Sequence, residues 1–330
     1  MLRIQQDGPL DKETMKLENV CLLGGSGFVG GYIAEALTKR GVQVRALSRR
    51  RERARHLLVL PNAEVVESDV HDPAQLAHQF ADMDAVINLV GVLHDGKGKE
   101  SFRSAHVELA AKVVDACAQA GVHRLLHMSA LKADVNGPSA YLRSKGEAQA
   151  LVREAAAQHG IAATVFRPSV IFGPGDSFLN RFAQLIKLSP VIPLACPSAR
   201  FQPIFVNDVA RAFVDCLEDR TSFGQAYDLC GPTVYELEEL VRLTAACTGR
   251  WRAIVGLGPR LSYLQACALE LLPGKPLTRD NFRSLQVDSI CECAFPFAFR
   301  PTSLEAIAPL YLGGRTSRGR YAYFRYKAGR

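Results

Sequence analysis

The chain has 330 residues, of which 48% are hydrophobic and 22% are charged. This composition is typical of a globular protein with a sizeable core, and it excludes a chain that is disordered throughout. The formal net charge is +7, but residues 313–330 contain five arginines, one lysine and no acid. The rest of the chain is therefore nearly neutral, which makes nucleic acid an unfavoured partner.

Residues 1–18 form a polar N-terminal extension of mixed charge, unlike a signal peptide. No run reaches the roughly 18 apolar residues that a membrane-spanning helix needs. The nine cysteines are scattered without a C-x-x-C pair, and the eight histidines show no ligand spacing. We therefore expect reduced thiols, no disulfide framework and no metal site. The predicted location is cytoplasmic, with any membrane contact peripheral and at the inner face.

The first two-thirds of the sequence alternates short apolar runs with helical patterns, which predicts βαβ units and a parallel sheet. Strands are predicted at residues 20–23, 42–47, 64–67, 84–90, 125–129 and 163–167. Helices are predicted at residues 32–40, 105–120 and 140–158. The predicted fold class is α/β, with a Rossmann-like doubly wound parallel sheet as the dinucleotide-binding domain over residues 19–176.

After Pro174 the alternation stops and proline becomes frequent. We interpret residues 177–312 as a mixed, mainly substrate-side region, from which about residues 201–230 return to the Rossmann domain. The apolar stretch LSYLQACALELLP (261–273) is a candidate pocket wall or partner-binding face, and burial in the core is the simpler interpretation. Residues 313–330 form a basic tail.

A glycine-rich loop, GGSGFVG (24–30), follows the first predicted strand and opens the first helix. Its glycines have the spacing of a dinucleotide-binding turn, in which one turns off the strand, one admits the pyrophosphate and one lets helix and strand pack closely. The N–H groups at the helix start then face the phosphates. We predict nucleotide contacts from Gly24, Gly27, Phe28, Val29 and Gly30.

The residues at the end of the second strand determine whether such a site prefers NAD or NADP. An NAD site usually has an acid there for the ribose 2′-OH, whereas this chain has Ser48, Arg49 and Arg50. Arginine suits a 2′-phosphate because its guanidinium binds phosphate oxygens in pairs. The sequence therefore favours NADP(H). NAD(H) stays possible, because a merely basic surface turn would have the same sequence.

Two further strand ends fit a nucleotide-binding crevice, because ligands of doubly wound sheets bind at the carboxyl ends of the strands. Asp69 and Val70 follow the third strand and are predicted to lie near the adenine. Leu89, Val90 and Gly91 follow the fourth strand and are predicted to lie near the nicotinamide.

Tyr141 and Lys145 are four residues apart on a predicted helix, so their side chains share one face. A lysine beside a phenol stabilises the phenolate, which lowers the pKa of tyrosine from about 10. Tyr141 is therefore a candidate general acid or base. The same spacing recurs at Tyr323 and Lys327 in the tail, so the position after the fifth strand singles out the first pair.

Three segments together resemble the short-chain dehydrogenase/reductase superfamily in its extended or atypical branch: GGSGFVG, YLRSK (141–145) and RPSVIFGPG (167–175). The resemblance covers roughly residues 19–310. It implies NAD(P)-dependent oxidoreductase or epimerase-like chemistry, in which Tyr141 moves a proton and Lys145 holds the nicotinamide ribose. It also implies that Pro168 and Val170 line the nicotinamide pocket.

The superfamily also uses a serine or threonine that polarises the substrate carbonyl. Ser129 ends the fifth predicted strand and is the candidate, but the position usually catalytic in extended members falls on Ala130. Tyr141 lies only twelve positions after Ser129, a smaller spacing than extended members have. This departure favours cofactor binding without turnover.

Within the superfamily, PGKPLTRDN (273–281) and the spacing of SALKAD to YLRSK are similar to the nucleotide-binding accessory subunits of respiratory complex I and their bacterial relatives. This resemblance implies an NADPH that is held with little or no turnover, and complex I or another membrane-associated protein as partner. The alternative is a working NADPH-dependent reductase of a small apolar carbonyl or quinone-related substrate. A weaker third hypothesis has the basic tail bind nucleic acid or anionic lipid.

Overall fold

The computed structural model describes residues 17–313. The predicted basic tail, apart from its first residue, and most of the predicted N-terminal extension lie outside the described residues. The strands are β1 (Asn19–Leu23), β2 (Gln43–Ser48), β3 (Ala63–Glu67), β4 (Ala85–Asn88), β5 (Arg124–Met128), β6 (Ala162–Pro168), β7 (Ile171–Phe172), β8 (Val191–Leu194), β9 (Arg200–Phe201), β10 (Ile204–Phe205), β11 (Ala226–Leu229), β12 (Tyr235–Glu236) and β13 (Ala253–Gly256).

The α-helices lie between these strands and after them. They are α1 (Phe28–Lys39), α2 (Pro73–Phe80), α3 (Leu109–Ala120), α4 (Ala140–Gln158), α5 (Phe178–Leu188), α6 (Val206–Cys216), α7 (Leu237–Thr248), α8 (Pro259–Glu270), α9 (Arg279–Ser284) and α10 (Leu304–Leu312). Short 3₁₀ helices occur at Arg51–Leu57, Gly98–Glu100 and Arg220–Ser222, and a π-helix at Arg103–Glu108 leads into α3.

The central sheet has seven strands in the order β11-β6-β5-β4-β1-β2-β3, and every pair in it is parallel. This order confirms the predicted α/β, Rossmann-like fold. From β1 the chain adds β2 and β3 on one side, and β4, β5, β6 and β11 on the other. The strand order therefore reverses between β1 and β4, and open parallel sheets bind their ligands at such a point, at the carboxyl ends of the strands. The glycine-rich loop follows β1 and therefore lies at this point.

Apolar side chains cover both faces of the sheet. Ile33 and Leu37 of α1 pack with Phe213 of α6 on one face. Residues of α2, α3 and α4 cover the other face. A third buried cluster joins α5, α7 and α10 with the small strand pairs β8–β13 and β9–β12. The strands whose ends carry the predicted site are therefore packed on both faces by buried side chains.

Two predictions about the second half of the chain need correction. The stretch 261–273 is not core, because α8 buries Ser262 and Ala266 while Leu261, Leu264 and Leu271 are exposed. Helical spacing of leucines shows that they share a face but not which side of the helix that face is on.

The expectation of reduced thiols without a disulfide is also wrong. Cys230, directly after β11, is bonded to Cys291, which lies 61 residues later, with a Cα–Cα distance of 6.0 Å. The pairing depends on the tertiary fold: the segment after α9 returns to the sheet, where the Cys291 N–H donates to Gln202 Oε1. Sequence spacing alone gives no sign of such a contact. Seven other cysteines of the described chain are free.

Within residues 17–313, no helix is both long and apolar enough to cross a membrane. The same residues contain no group of three or more histidine, cysteine or acidic side chains arranged to hold a metal ion.

Candidate nucleotide-binding site

The glycine-rich loop forms a close backbone turn between β1 and α1. Gly24 has φ of +81°, a conformation that side chains disfavour, and its carbonyl accepts a hydrogen bond from the Gly27 N–H at 3.0 Å. A Cβ on Gly30 would lie 2.3 Å from the Gly24 carbonyl oxygen and 2.6 Å from Gly25 Cα. The third glycine is therefore required by the packing of helix α1 against the loop.

Helix α1 begins without a side-chain cap. Its N-cap is Gly27, and no side chain accepts a hydrogen bond there. The N–H groups of the first turn, which includes Phe28, Val29 and Gly30, are thus available to an anion, and the helix dipole favours one. These residues fit the pyrophosphate of a dinucleotide.

The end of β4 lies against the loop. A Cβ on Gly24 would be 3.2 Å from the carbonyl carbon of Leu89 and 3.3 Å from the Val90 nitrogen. The Leu89 N–H donates to the Leu23 carbonyl at 3.0 Å, and the Val90 N–H donates to Asn88 Oδ1 at 3.1 Å. The structure therefore brings the ends of β1 and β4 together on one side of the crevice.

The arginines after β2 are exposed at the rim of this crevice. Ser48 is buried, and its hydroxyl donates to the Arg50 carbonyl at 2.9 Å. Arg49 Nη1 lies 3.3 Å from Glu100 Oε1, and both side chains are more than half exposed. Such a pair is weak in water, so Arg49 can exchange its partner for a phosphate. None of the three residues that follow β2 is an acid.

Asp69, which follows β3, forms an ion pair with Lys99, the neighbour of the Glu100 that contacts Arg49. Its carboxylate contacts Lys99 Nζ, and this hydrogen bond holds the pKa of Asp69 below its usual value. Val70 beside it is buried. The 3₁₀ helix Gly98–Glu100 thus contacts the ends of both β2 and β3. Sequence reasoning missed Lys99 and Glu100 because GKGKE has the composition of an ordinary polar loop.

Lys145 lies at the other end of the crevice and is 5% exposed. Its Nζ donates to the Met128 carbonyl at 3.1 Å. A Cβ on Gly91 would lie 3.0 Å from the same Nζ. Burial lowers the pKa of Lys145 to about 8. The structure therefore joins the ends of β4 and β5 to helix α4 through this one ammonium group.

The pKa of Tyr141 is not lowered as the sequence predicted. Burial raises it to about 12, because the enclosed site penalises the phenolate. The ring packs edge-on against Phe102 and His106, with centroids 5.8 and 5.7 Å away. At neutral pH the phenol keeps its proton, so in this structure Tyr141 can donate a hydrogen bond but is a poor base.

Ser129 is buried, and its hydroxyl donates to the Lys145 backbone carbonyl at 3.4 Å. The neighbouring Ala130 has no polar side chain. On the next strand, the Pro168 carbonyl accepts from the Leu131 N–H at 3.0 Å, and the Val170 carbonyl accepts from the Ile204 N–H at 2.9 Å. Backbone hydrogen bonds thus fix this part of the crevice wall.

Sequence reasoning missed His106, which lies in the π-helix before α3. Its Nε2 accepts from the Val92 N–H at 3.0 Å, so the neutral ring has its proton on Nδ1, 2.8 Å from Ser144 Oγ. That hydroxyl donates to the Tyr141 carbonyl at 2.9 Å. Burial lowers the pKa of His106 to about 2. The only sequence signal was a single histidine in an alanine-rich helix, which is usually structural.

Asp280 is a second residue that sequence reasoning did not place in the site. From α9, its carboxylate accepts hydrogen bonds from the Ala140 and Tyr141 N–H groups at 2.7 and 3.1 Å. It therefore adds to the N-cap Ser139 at the start of α4, where the helix dipole favours a negative charge. The PGKPLTRDN segment thus holds the helix that carries Tyr141 and Lys145.

We expect Asp280→Ala to lower the free energy of unfolding by about 1–2 kcal/mol, the usual cost of a lost helix cap. It should also weaken NADPH binding by about tenfold, or ~1.4 kcal/mol, because the first turn of α4 carries Tyr141. Urea unfolding and NADPH fluorescence measure the two effects. Asp219→Ala, which removes the cap of the 3₁₀ helix Arg220–Ser222, is the matched control and should affect stability alone. Equal nucleotide affinity in both variants would contradict this role.

The buried lysine predicts a pH dependence of stability. The pKa of Lys145 is about 8 in the folded protein, against an ordinary value of 10.5. The unfolded chain therefore binds the proton more tightly, and the folded state gains stability as the pH rises from about 8 to 10.5. The gain is about 3 kcal/mol, at ~1.4 kcal/mol for each pH unit. Urea unfolding across this window should show a steeper rise for the wild type than for Lys145→Met, and parallel curves would contradict the assignment.

The fold and the crevice define a dinucleotide-binding protein of the Rossmann type. The chain belongs to the NAD dependent epimerase/dehydratase family, whose model matches residues 20–230. The family membership confirms the resemblance to the extended short-chain dehydrogenases that the sequence showed.

Among curated relatives, the chain is 32% identical to the mitochondrial NADH dehydrogenase [ubiquinone] 1 alpha subcomplex subunit 9 of Arabidopsis thaliana, over 77% of this chain and 64% of the relative. It is 30% identical to a ceramide reductase of Caulobacter vibrioides, over 59% of each. The chain thus spans less than two-thirds of the length of these relatives.

Solved structures show the same fold. The dTDP-glucose 4,6-dehydratase of Streptomyces venezuelae with NAD bound superposes with a TM-score of 0.65, at 19% identity over 72% of this chain and 84% of that one.

Proposed function

We propose that this protein holds NADP(H) and acts as an accessory or assembly-type protein of respiratory complex I, with little or no turnover. The proposal for the partner is supported by the mitochondrial NADH dehydrogenase subunits among its relatives. We propose a cytoplasmic location, peripheral at the inner face of the membrane, where such a partner would be met.

The proposed NADP(H) contacts follow the crevice from one end to the other. Gly24, Gly27 and the start of α1 bind the pyrophosphate through backbone N–H groups. Arg49 and Arg50 bind the 2′-phosphate, beside Ser48. The remaining contacts are Asp69 and Val70 at the adenine, Leu89, Val90 and Gly91 on the floor, Tyr141 and Lys145 at the nicotinamide ribose, and Ser129, Pro168 and Val170 at the nicotinamide. When bound, the cofactor supplies a hydride donor or acceptor.

The observation that supports holding rather than turnover is the state of the catalytic hydroxyl groups. The Ser129 hydroxyl donates to the backbone of α4, and the next residue is an alanine. The pKa of Tyr141, about 12, keeps its proton on the phenol. A carbonyl substrate would therefore find neither a free serine donor nor an acidified tyrosine.

The alternative function is an NADPH-dependent reductase or epimerase-like enzyme acting on an apolar carbonyl or quinone-related substrate. It is supported by Tyr141 and the buried Lys145, which are four residues apart on α4, and by the resemblance to a ceramide reductase. In this case a bound nucleotide and substrate would have to lower the pKa of Tyr141.

Tyr141→Phe separates the two functions, because it removes only the phenolic hydroxyl group and keeps the ring. If the protein holds its nucleotide, the variant keeps NADPH affinity within about threefold of the wild type, a difference of ~0.7 kcal/mol. Substrate-dependent NADPH oxidation is then absent from both proteins across a panel of apolar ketones and quinones. Oxidation by the wild type that the variant loses would contradict the holding function and establish the reductase.

A further inference from the structure

Helix α8 buries small residues and exposes leucines, the opposite of an ordinary amphipathic helix. Its buried face carries Ser262 and Ala266, both 0% exposed. Its solvent face carries Leu261 and Leu264 at helical spacing, and Leu271, the C-cap residue directly after the helix, is 86% exposed. A helix that exposes its leucines to water has an apolar face without a packing partner, and such a face marks an interaction site.

The small sheet beside α8 extends this apolar surface. Gln265 of α8 donates to the Pro193 carbonyl of β8 at 2.8 Å, and β8 pairs with β13. Val191 and Val255 are exposed on the outward side of this pair. Next to them, Leu188 is 83% exposed and Trp251 is 96% exposed. We call these side chains, together with the leucines of α8, the apolar surface.

The charges around the apolar surface are positive. Arg260 begins α8, Lys275 follows it and Arg283 lies on the adjoining α9; all three are exposed and form no ion pair with a described residue. The acid of α8, Glu270, is paired to Arg279 at 2.7 Å. Exposed leucine and tryptophan bordered by unpaired cations are the composition of surfaces that lie in the interface of an anionic membrane.

We infer that the apolar surface docks on an anionic lipid bilayer, with Trp251 and the leucines of α8 entering the headgroup boundary and Arg260, Lys275 and Arg283 facing lipid phosphates. A second copy of the chain is a poor occupant, because it would bring the same cations together. This contact would hold the protein at the membrane, and it rests on the proposed function, which places the protein at the inner membrane face. None of these side chains is among the proposed nucleotide contacts.

Trp251 reports this contact directly, because it is the only tryptophan of the chain. Anionic vesicles of phosphatidylglycerol and phosphatidylcholine should shift its emission to the blue and carry the protein in flotation. Vesicles of phosphatidylcholine alone should not, and salt should weaken the binding. Replacing Leu264 and Leu271 with serine should lower vesicle affinity by about 100-fold, since each buried leucine contributes roughly tenfold.

The matched control is Leu58→Ser with Val59→Ser, two exposed apolar residues elsewhere on the surface, which should leave vesicle binding unchanged. NADP(H) retention, measured on the same samples, should be unchanged in both variants, so failure of docking is distinguishable from failure of the nucleotide site. The inference is overturned if Trp251 emission does not shift, if the Leu264/Leu271 variant binds vesicles like the wild type, if uncharged vesicles bind equally, or if the leucines instead mediate a dimer in sedimentation without lipid.

Discussion

Gly30→Val is expected to abolish nucleotide binding. A Cβ at this position would lie 2.3 Å from the Gly24 carbonyl oxygen and 2.6 Å from Gly25 Cα, and both are backbone atoms that cannot rotate away. The loop must then move away from α1, and the phosphates lose their charge-assisted hydrogen bonds, worth about 1.5–3 kcal/mol each. NADPH affinity measured by fluorescence titration should fall by about 100-fold or more, and the melting temperature should fall as well.

Gly258→Ala is the matched control for this prediction. Gly258 begins a helix as Gly27 does, but no atom lies within 4 Å of its Cβ position. The substitution should leave NADPH affinity unchanged. If Gly30→Val retained nucleotide with wild-type affinity, the assignment of this loop to the pyrophosphate would be wrong.

Replacing Arg49 and Arg50 with serine is expected to change the cofactor preference. Both side chains are exposed at the end of β2, and the weak pair between Arg49 and Glu100 leaves Arg49 free to bind phosphate. Each charge-assisted contact to a phosphate contributes about 1.5–3 kcal/mol. NADPH affinity should therefore fall by about 100-fold while NADH affinity stays within about threefold, as calorimetry with each nucleotide can measure.

Arg53→Ser provides the control, because Arg53 is exposed on the 3₁₀ helix that follows β2 but lies farther from the strand end. It should alter neither affinity. An equal loss of NADPH and NADH binding in the Arg49/Arg50 variant would show that these arginines contribute only general electrostatic attraction.

The strands of the sheet could be predicted because their apolar runs and their spacing are local features. Residues 20–23 and 163–167 lie within β1 and β6, and the predicted helix 140–158 coincides with α4. The start of α1 was predicted four residues late, because glycines 30 and 31 count against a helix in the sequence. Packing on the loop overrides that propensity at Gly30. Strand β11 was not predicted, because its four residues become a strand only beside β6.

The candidate site divides in the same way. The glycine-rich loop and the Tyr141–Lys145 pair are motifs with fixed spacing, so the sequence shows them. His106 and Asp280 act through hydrogen bonds to distant backbone groups, and the pKa of Tyr141 depends on how deeply the folded chain buries it. The Cys230–Cys291 bond and the outward leucines of α8 likewise depend on tertiary contacts. Such features are set by which segments meet, and a single sequence does not show this.

NADP(H) is the nucleotide that we propose for the crevice. The most direct test is mass spectrometry of the nucleotide released from protein that has been purified in its native state, with the amount measured against protein concentration. We expect NADPH or NADP⁺ at close to one molecule for each chain. NAD(H) in its place would contradict the role of Arg49 and Arg50, and protein that neither retains nor binds a dinucleotide would contradict the proposed function of the crevice.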